Sequence, residues 1–286
     1  MISNKPIILG IGEIVWDCLP AGRKLGGAPV NFAYHAMQLG AESYPVSAVG
    51  SDELGAETLS ACHGYGLETR YIQVNTLPTS RVLVTLDNTG VPQYEIVENV
   101  AWDALEATPQ ALALASKADA ICWGSLSQRS AVSRGAVLRL LSAVPSGAMR
   151  VFDINLRQHF YSKEVIESSL QQANVLKLNE DELPTVLSLL ELKGVPEIIG
   201  HYKLDYLVFT HGADFSEVYS PEGLLSHIET PSVKVADTVG AGDCFTAAFV
   251  TSLLKGESPA ASHEKAVRLS AWLCTLPGAI NPHVLI

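Results

Sequence analysis

Val175-Leu176-Lys177-Leu178-Asn179-Glu180-Asp181-Glu182-Leu183-Pro184-Thr185-Val186-Leu187-Ser188-Leu189-Leu190 decides the fold, because its hydrophobic period changes within a few residues. Val175 to Leu178 reads as a short buried strand, and Glu180 to Leu190 reads as a helix. Tyr206 to Thr210 is the next buried-strand candidate and completes a strand–helix–strand unit. The same kind of run recurs at Ile7 to Ile11, ended by Gly12, and at Tyr44 to Val49, Ala120 to Trp123 and Arg150 to Asp153. Helix-length segments separate most of them, including Pro29 to Leu39, closed by Gly40, and Thr108 to Ser116, with Thr108 as N-cap and Pro109 at the first position. This alternation predicts an α/β chain with a mainly parallel sheet covered on both faces, in which ligands gather at the carboxyl ends of the strands.

Between about Tyr71 and Val100 the alternation breaks. Tyr71 to Asn75, Ser80 to Asp87 and Gln93 to Val97 are rich in β-formers, and Asn88-Thr89-Gly90 supplies a turn. A small antiparallel insertion is expected there, serving as an edge hairpin, a lid or a dimer surface. The chain shows no internal repeat or long linker, and its 286 residues suit one large α/β unit with an appendage.

The formal net charge of -11, with no run of Lys or Arg, argues against general attraction to nucleic acid or an anionic membrane. Five dispersed cysteines (Cys18, Cys62, Cys122, Cys244, Cys274) show no zinc-like spacing and read as reduced structural residues of a cytoplasmic protein. No stretch approaches the roughly 20 apolar residues of a membrane span.

Asp237-Thr238-Val239-Gly240-Ala241-Gly242-Asp243 runs into an apolar stretch from Cys244 to Leu254. Its glycines allow close approach of a ligand to a helix N-terminus, where free N–H groups attract phosphate. Asp243 would repel that phosphate unless a metal ion or chemistry required a carboxylate, which points to phosphoryl transfer; a capped helix after a glycine turn is the plainer alternative. Near the start, Asp17 and Asn31 supply the accepting and donating groups a polyol needs, and Gly26-Gly27 forms a turn ahead of a helix. Asp153, Asn155 and Arg157 alternate after a strand, with Arg157 suited to a phosphate. Asn179 and Glu182 suit water around Mg²⁺ or, more simply, an acidic helix start. The P-loop pattern, the third glycine of a dinucleotide fingerprint and the protein-kinase motifs are all missing.

These segments, in this order, resemble the ribokinase-like (phosphofructokinase-B type) sugar kinases over essentially the whole chain. Gly26 to Asn31 looks like the family's N-terminal signature and Asp237 to Asp243 like its C-terminal one. Leu86 to Tyr94, followed by Ala101-Trp102-Asp103, is similar to fructokinase members in particular, as is Gly12-Glu13 ahead of Asp17.

The resemblance implies one domain over 1–286, a three-layer α/β/α sandwich with a small β-sheet lid from about 14–25 and 69–100. It places Asp17, Gly26, Gly27, Asn31 and Arg157 at the sugar. Lys177, Asn179, Glu182, Thr210, Gly212, Gly278 and Ala279 fall around ATP, with Glu182 on Mg²⁺ through water. Gly240, Ala241 and Gly242 form the N–H cradle, Asp243 is the base, and Asp237 and Val239 match positions that hold a monovalent cation such as K⁺. One departure is Asp214-Phe215-Ser216, where the family usually has a glycine near 215.

The implied reaction is ATP-dependent phosphorylation of a primary sugar hydroxyl, fructose to fructose 6-phosphate first among the options. Alternatives are a kinase for 2-keto-3-deoxygluconate, ribose or a nucleoside, or a non-catalytic sugar-binding regulator. A homodimer through the β lid is a further expectation.

Overall fold

The computed structural model describes residues 5–19, 22–86 and 92–283. In chain order, β1 (Ile7–Ile11) is followed by β2 (Val15–Leu19), β3 (Gly22–Gly26), α1 (Ala28–Gln38), β4 (Glu42–Gly50), α2 (Glu53–Gly64), β5 (Ile72–Asn75), β6 (Arg81–Leu86) and β7 (Pro92–Ile96). Then come α3 (Pro109–Ala115), β8 (Ala120–Trp123), α4 (Ala131–Ala143), β9 (Met149–Asp153), α5 (Lys163–Gln172), β10 (Val175–Asn179), α6 (Glu182–Leu190) and α7 (Val195–Tyr202). The last third holds β11 (Tyr206–His211), β12 (Phe215–Ser220), β13 (Gly223–Glu229), α8 (Ala241–Leu254) and α9 (Pro259–Leu273).

Nine strands form the main sheet in the order β13-β12-β11-β10-β9-β8-β1-β4-β5. From β11 to β5 every neighbouring pair is parallel, while β12 pairs antiparallel with both β11 and β13. Successive side chains of a strand point to opposite faces, so a strand covered on both sides must be apolar throughout. Ile8, Ala120, Cys122, Val151 and Val175 accordingly join a cluster with Phe32 and Ala36 of α1 and Ala247 and Val250 of α8. Their neighbours Leu9, Ile121, Trp123, Phe152 and Leu176 face the other way, against Ala111 of α3, Val137 and Leu140 of α4, Ile166 of α5 and Val186 of α6. The expected three-layer sandwich is thus the arrangement observed.

The helix signals act as their chemistry predicts. Thr108 caps α3, its hydroxyl accepting from the Ala111 amide at 3.2 Å, with Pro109 in the first turn. The helix expected from Glu180 begins instead at Glu182, because the Asn179 side-chain oxygen accepts from the amides of Asp181 (3.0 Å) and Glu182 (2.9 Å) and holds that stretch as a turn.

A second sheet, ordered β3-β2-β6-β7, stands apart from the first. Ile72–Asn75 does not belong to it: β5 pairs in parallel with β4 at the edge of the main sheet, where Ile72 is buried with Val49 and Cys62. The insertion is also not wholly antiparallel, since β2 pairs with β6 in parallel. The turn expected at Asn88-Thr89-Gly90 lies outside the described residues.

Val15, Val82 and Ile96 of the small sheet pack on Val100, Trp102, Leu126 and Phe160, fastening it to the sandwich. Beneath them Arg129 donates twice to Asp103 at 2.8 Å and once to the Val97 carbonyl at 2.7 Å, between the rings of Trp102 and Phe160. Both ion-pair partners are nearly inaccessible, with side-chain exposures of 6% and 10%. Removing one leaves the other charged and unpaired, so Arg129→Met should cost about 3–5 kcal/mol in urea denaturation. A loss under about 1 kcal/mol would show that the pair does not hold this junction.

Candidate active site

At the carboxyl ends of the main-sheet strands, under the small sheet, lies a cleft of about 760 Å³. Its walls include Glu13, Asp17, Asn31, Asp153, Arg157 and Asp243. A second pocket, about 270 Å³, lies beyond and is lined by Thr210, Gly212, Phe215, Phe245 and Val267 among others. Lys177, Asn179 and Gly242 line both, so the first turn of α8 is the partition between them.

That turn is held from below. Asp153 and Lys177 are register partners on β9 and β10, and their buried side chains meet at 3.3 Å. Thr246 of α8 donates to the other Asp153 oxygen at 3.0 Å, while Gly242 sits over the ammonium: a Cβ there would lie 3.0 Å from Lys177 Nζ. Burial works against the charged lysine, but Asp153, Glu182 and Asp243 together outweigh it and raise its pKa.

Gly240, the N-cap of α8, has φ +78°, and a Cβ would come within 2.5 Å of the Ala279 methyl. Only glycine fits both the left-handed backbone and this approach. The Ala241 amide donates to the Thr238 carbonyl at 3.2 Å and closes the turn, while the amides of Gly240 and Gly242 lie at the helix N-terminus between the two spaces, an arrangement suited to a phosphoryl group.

Asp243 follows in the same turn, facing the larger cleft, and its Oδ2 accepts from Asn31 Nδ2 of α1 at 2.8 Å. Burial raises its pKa to about 6, Asp153 adding to the rise while Asn31, Lys177 and Arg157 oppose it. Asp17 on β2 is also raised by burial, against Arg157 and Lys24. Glu13, buried at the exit of β1, reaches about 7, burial again being the chief cause.

The expected sugar residues Asp17, Gly27, Asn31 and Arg157 converge on the larger cleft. Gly26 does not line it but backs Asp17, whose Oδ2 would lie 3.2 Å from a Cβ. Asp153, Asn155 and Arg157 all line it too, though not by strand alternation: β9 ends at Asp153 and Asn155 takes a left-handed φ of +43°. Thr210, Gly212 and Asn179 line the second pocket as expected.

Three expectations change. Glu182 has both oxygens engaged by backbone amides, Leu156 at 3.0 Å and Asn179 at 2.9 Å, and lies buried outside both pockets. It shapes the turn, and Asn179, Glu180 and Asp181 are the side chains this turn offers to the second pocket. Ala279 lines the larger cleft and packs on Gly240, the Gly278 amide donates to Asp237 at 2.9 Å, and neither residue lines the second pocket. Asp237, expected with Val239 at a monovalent cation, already accepts the Lys24 ammonium of β3 at 3.1 Å and the Val239 amide at 3.1 Å. These groups outweigh burial and lower its pKa.

The departure at Phe215 has a structural counterpart. Its ring stacks on His211 at 4.9 Å and walls the second pocket, an apolar surface in place of the expected glycine. His35 is engaged within the fold: Nε2 must donate to the Ala279 carbonyl at 2.9 Å, so Nδ1 accepts from His283 at 2.8 Å. Asp153 and Glu13 were noted in the sequence without a role of their own, and the pairing of Asp237 with Lys24 was not expected. Only Lys177, a charge inside a buried strand, signalled a buried partner.

Comparison with known proteins agrees with this geometry. The pfkB family carbohydrate kinase profile matches residues 16–284, and the chain belongs to that family. Fructokinase of Escherichia coli is 28% identical over 265 residues, covering 85% of this chain and 83% of the relative. Fructokinase-1 of Zea mays is 26% identical over 290 residues, covering 93% and 89%. Among solved structures, fructokinase of Xylella fastidiosa with bound ATP superposes with a TM-score of 0.82 at 22% identity, covering 96% of this chain and 94% of that one.

An ionised Asp243 carries a burial penalty. Its folded pKa lies above the unfolded value, so the penalty is complete above about pH 6 and vanishes below the unfolded value near 3.8. Asp243→Asn should stabilise the fold by about 1–3 kcal/mol at pH 8 and by little at pH 4, as read by denaturation at the two pH values. Destabilisation at pH 8 would mean that Asp243 holds the structure together.

Proposed function

We propose that the protein transfers the γ-phosphate of ATP to a primary hydroxyl of a small sugar, fructose to fructose 6-phosphate being the leading assignment. The observation that carries this reading is the position of Asp243 and the Gly240 and Gly242 amides in one helical turn separating two pockets. The larger cleft, with Asp17 and Asn31, takes the sugar, and the small sheet above it acts as a lid. Nucleotide occupies the second pocket, where Phe215, Phe245 and Val267 provide apolar contact for a base.

When bound, ATP supplies the phosphoryl group and Mg²⁺ offsets the negative charge on its phosphates. Oxygen donors suited to hydrated Mg²⁺ line that pocket at Asn179, Glu180 and Asp181. Gly240 and Gly242 direct amides at the moving group, and Lys177 lies at the same partition. Asn31 holds one Asp243 oxygen and so fixes the carboxylate toward the sugar hydroxyl. A pKa of about 6 leaves Asp243 ionised at neutral pH yet more basic than an ordinary aspartate. It accepts the hydroxyl proton as the new P–O bond forms, since a free hydroxyl is far too weak an acid to ionise first.

The charge on this cleft favours one second reading. Arg157 and Lys24 bring cationic groups to its wall, which would suit a sugar acid such as 2-keto-3-deoxygluconate. Both curated relatives compared above are fructokinases, so the neutral sugar ranks first.

A coupled assay of ADP formation with fructose, glucose, ribose, 2-keto-3-deoxygluconate and adenosine tests both readings, with K⁺ present and absent. Sugar-dependent ADP is expected; ligand-induced stabilisation without turnover would instead identify a binding protein. Asp243→Asn should retain nucleotide affinity and lose about 10²-fold or more in kcat. Asp17→Ala should raise the KM for sugar with little change for ATP, and the reverse pattern would remove Asp17 from the sugar site.

A further inference from the structure

Phosphoryl transfer as described leaves one buried carboxylate of the larger cleft without a task. Glu13 leaves β1 immediately after Gly12, is 2% exposed, and lines the cleft. Its Oε2 is buried with no hydrogen-bond partner among the described residues, and so is Oδ1 of Asn31, which lines the same cleft. Buried polar atoms in folded proteins are almost always partnered, so each such oxygen points to a group that arrives with a ligand or with water.

The position of Glu13 is built with little freedom. Ser47 Oγ donates to the Gly12 carbonyl at 2.6 Å, and the Gly12 amide donates to Val46 at 3.1 Å, fixing the strand exit. Gly27, with φ +115°, brings the start of α1 against residue 13: a Cβ there would lie 2.4 Å from the Glu13 carbonyl oxygen. The Glu13 carboxylate thus meets the Ala28 amide at the N-terminus of α1.

We propose that Glu13 is a substrate-binding residue whose Oε2 accepts a hydrogen bond from an inner hydroxyl of the acceptor polyol, Asn31 Oδ1 accepting another. This rests on the sugar-kinase reading above and narrows its substrate class. The end of the substrate that reaches Glu13 and Asp243 carries neutral hydroxyls, because a carboxylate or phosphate there would face two carboxylates.

Glu13 also gives the site a distinct titration. Burial places its pKa near 7, Asp243 of α8 adding to the rise, while its own amide, Arg157 of the loop after β9 and the Ala28 amide pull it down. Asp17 and Lys24 of the small sheet, Asp153 and Lys177 of the main sheet and Asp237 ahead of α8 complete the charged lining of the cleft. The ionised form accepts the hydroxyl more strongly than the neutral one, so sugar affinity should rise as the pH passes upward through about 7.

The test is calorimetric binding of fructose, glucose and ribose to wild type, Glu13→Gln and Glu13→Ala at pH 6 and pH 8, with thermal melts alongside. Glu13→Ala should weaken binding of the preferred sugar by about tenfold or more and leave ATP affinity within about twofold. Glu13→Gln, which keeps the shape but cannot ionise, should bind more weakly than wild type at pH 8 and lose the pH 6-to-8 rise. Variants that melt lower yet bind sugar as wild type does, with the same pH dependence, would overturn the proposal and leave Glu13 as a helix anion. A wild type that binds none of these sugars would also overturn it. If wild type binds sugar but forms no ADP, the kinase reading fails while the Glu13 assignment is still decided by the binding data.

Discussion

The buried pair between Lys177 and Asp153 is the interaction on which the site depends. Neighbouring parallel strands β9 and β10 put the two side chains in register, and the sandwich removes them from water. A charge in that position must be paired, and here the pair does more than satisfy itself. Asp153 takes the Thr246 hydroxyl, and Lys177 presses against Gly242, so the first turn of α8 is set on the sheet at two points. Gly240 against Ala279 supplies a third. The Gly240 and Gly242 amides and Asp243 then lie at a boundary between two cavities, which no loop held only by its ends would achieve with the same rigidity.

The small sheet completes the arrangement by closing the larger cleft from above. Arg129 and Asp103 fasten its base, whereas Lys24 reaches from β3 to Asp237 in the segment leading into the glycine turn. One link is deeply buried and the other half-exposed, so the second is the weaker and is screened by salt. A cover with a firm base and a weak rim suits a site that must admit sugar and then exclude water.

Much of the fold was legible because burial on both faces leaves so narrow a choice of residues. Runs such as Ala120 to Trp123 and Val175 to Leu178 fit no other environment, and Thr108-Pro109 marks a helix start by direct chemistry. Ile72 to Asn75 was misplaced because its alternation is the same whether it joins the main sheet or the small one; only the pairing with β4 decides. The candidate site was legible where a motif was local, as at Gly240 to Asp243. Contacts across long separations were not. Asp237 and Lys24 lie 213 residues apart, and nothing in either neighbourhood marks the other as its partner. Glu182 misled because an acidic residue at a helix start looks the same whether it faces a metal or accepts backbone amides.

The central claim is that the Gly240 and Gly242 amides and Asp243 act on opposite ends of one transferring phosphoryl group. A crystal structure with ADP, Mg²⁺, aluminium fluoride and the preferred sugar tests it most directly. The account predicts the fluoride group against those amides, with the sugar hydroxyl oxygen between it and the Asp243 carboxylate. Fluoride bound away from the first turn of α8, or a sugar hydroxyl facing another residue, would contradict it.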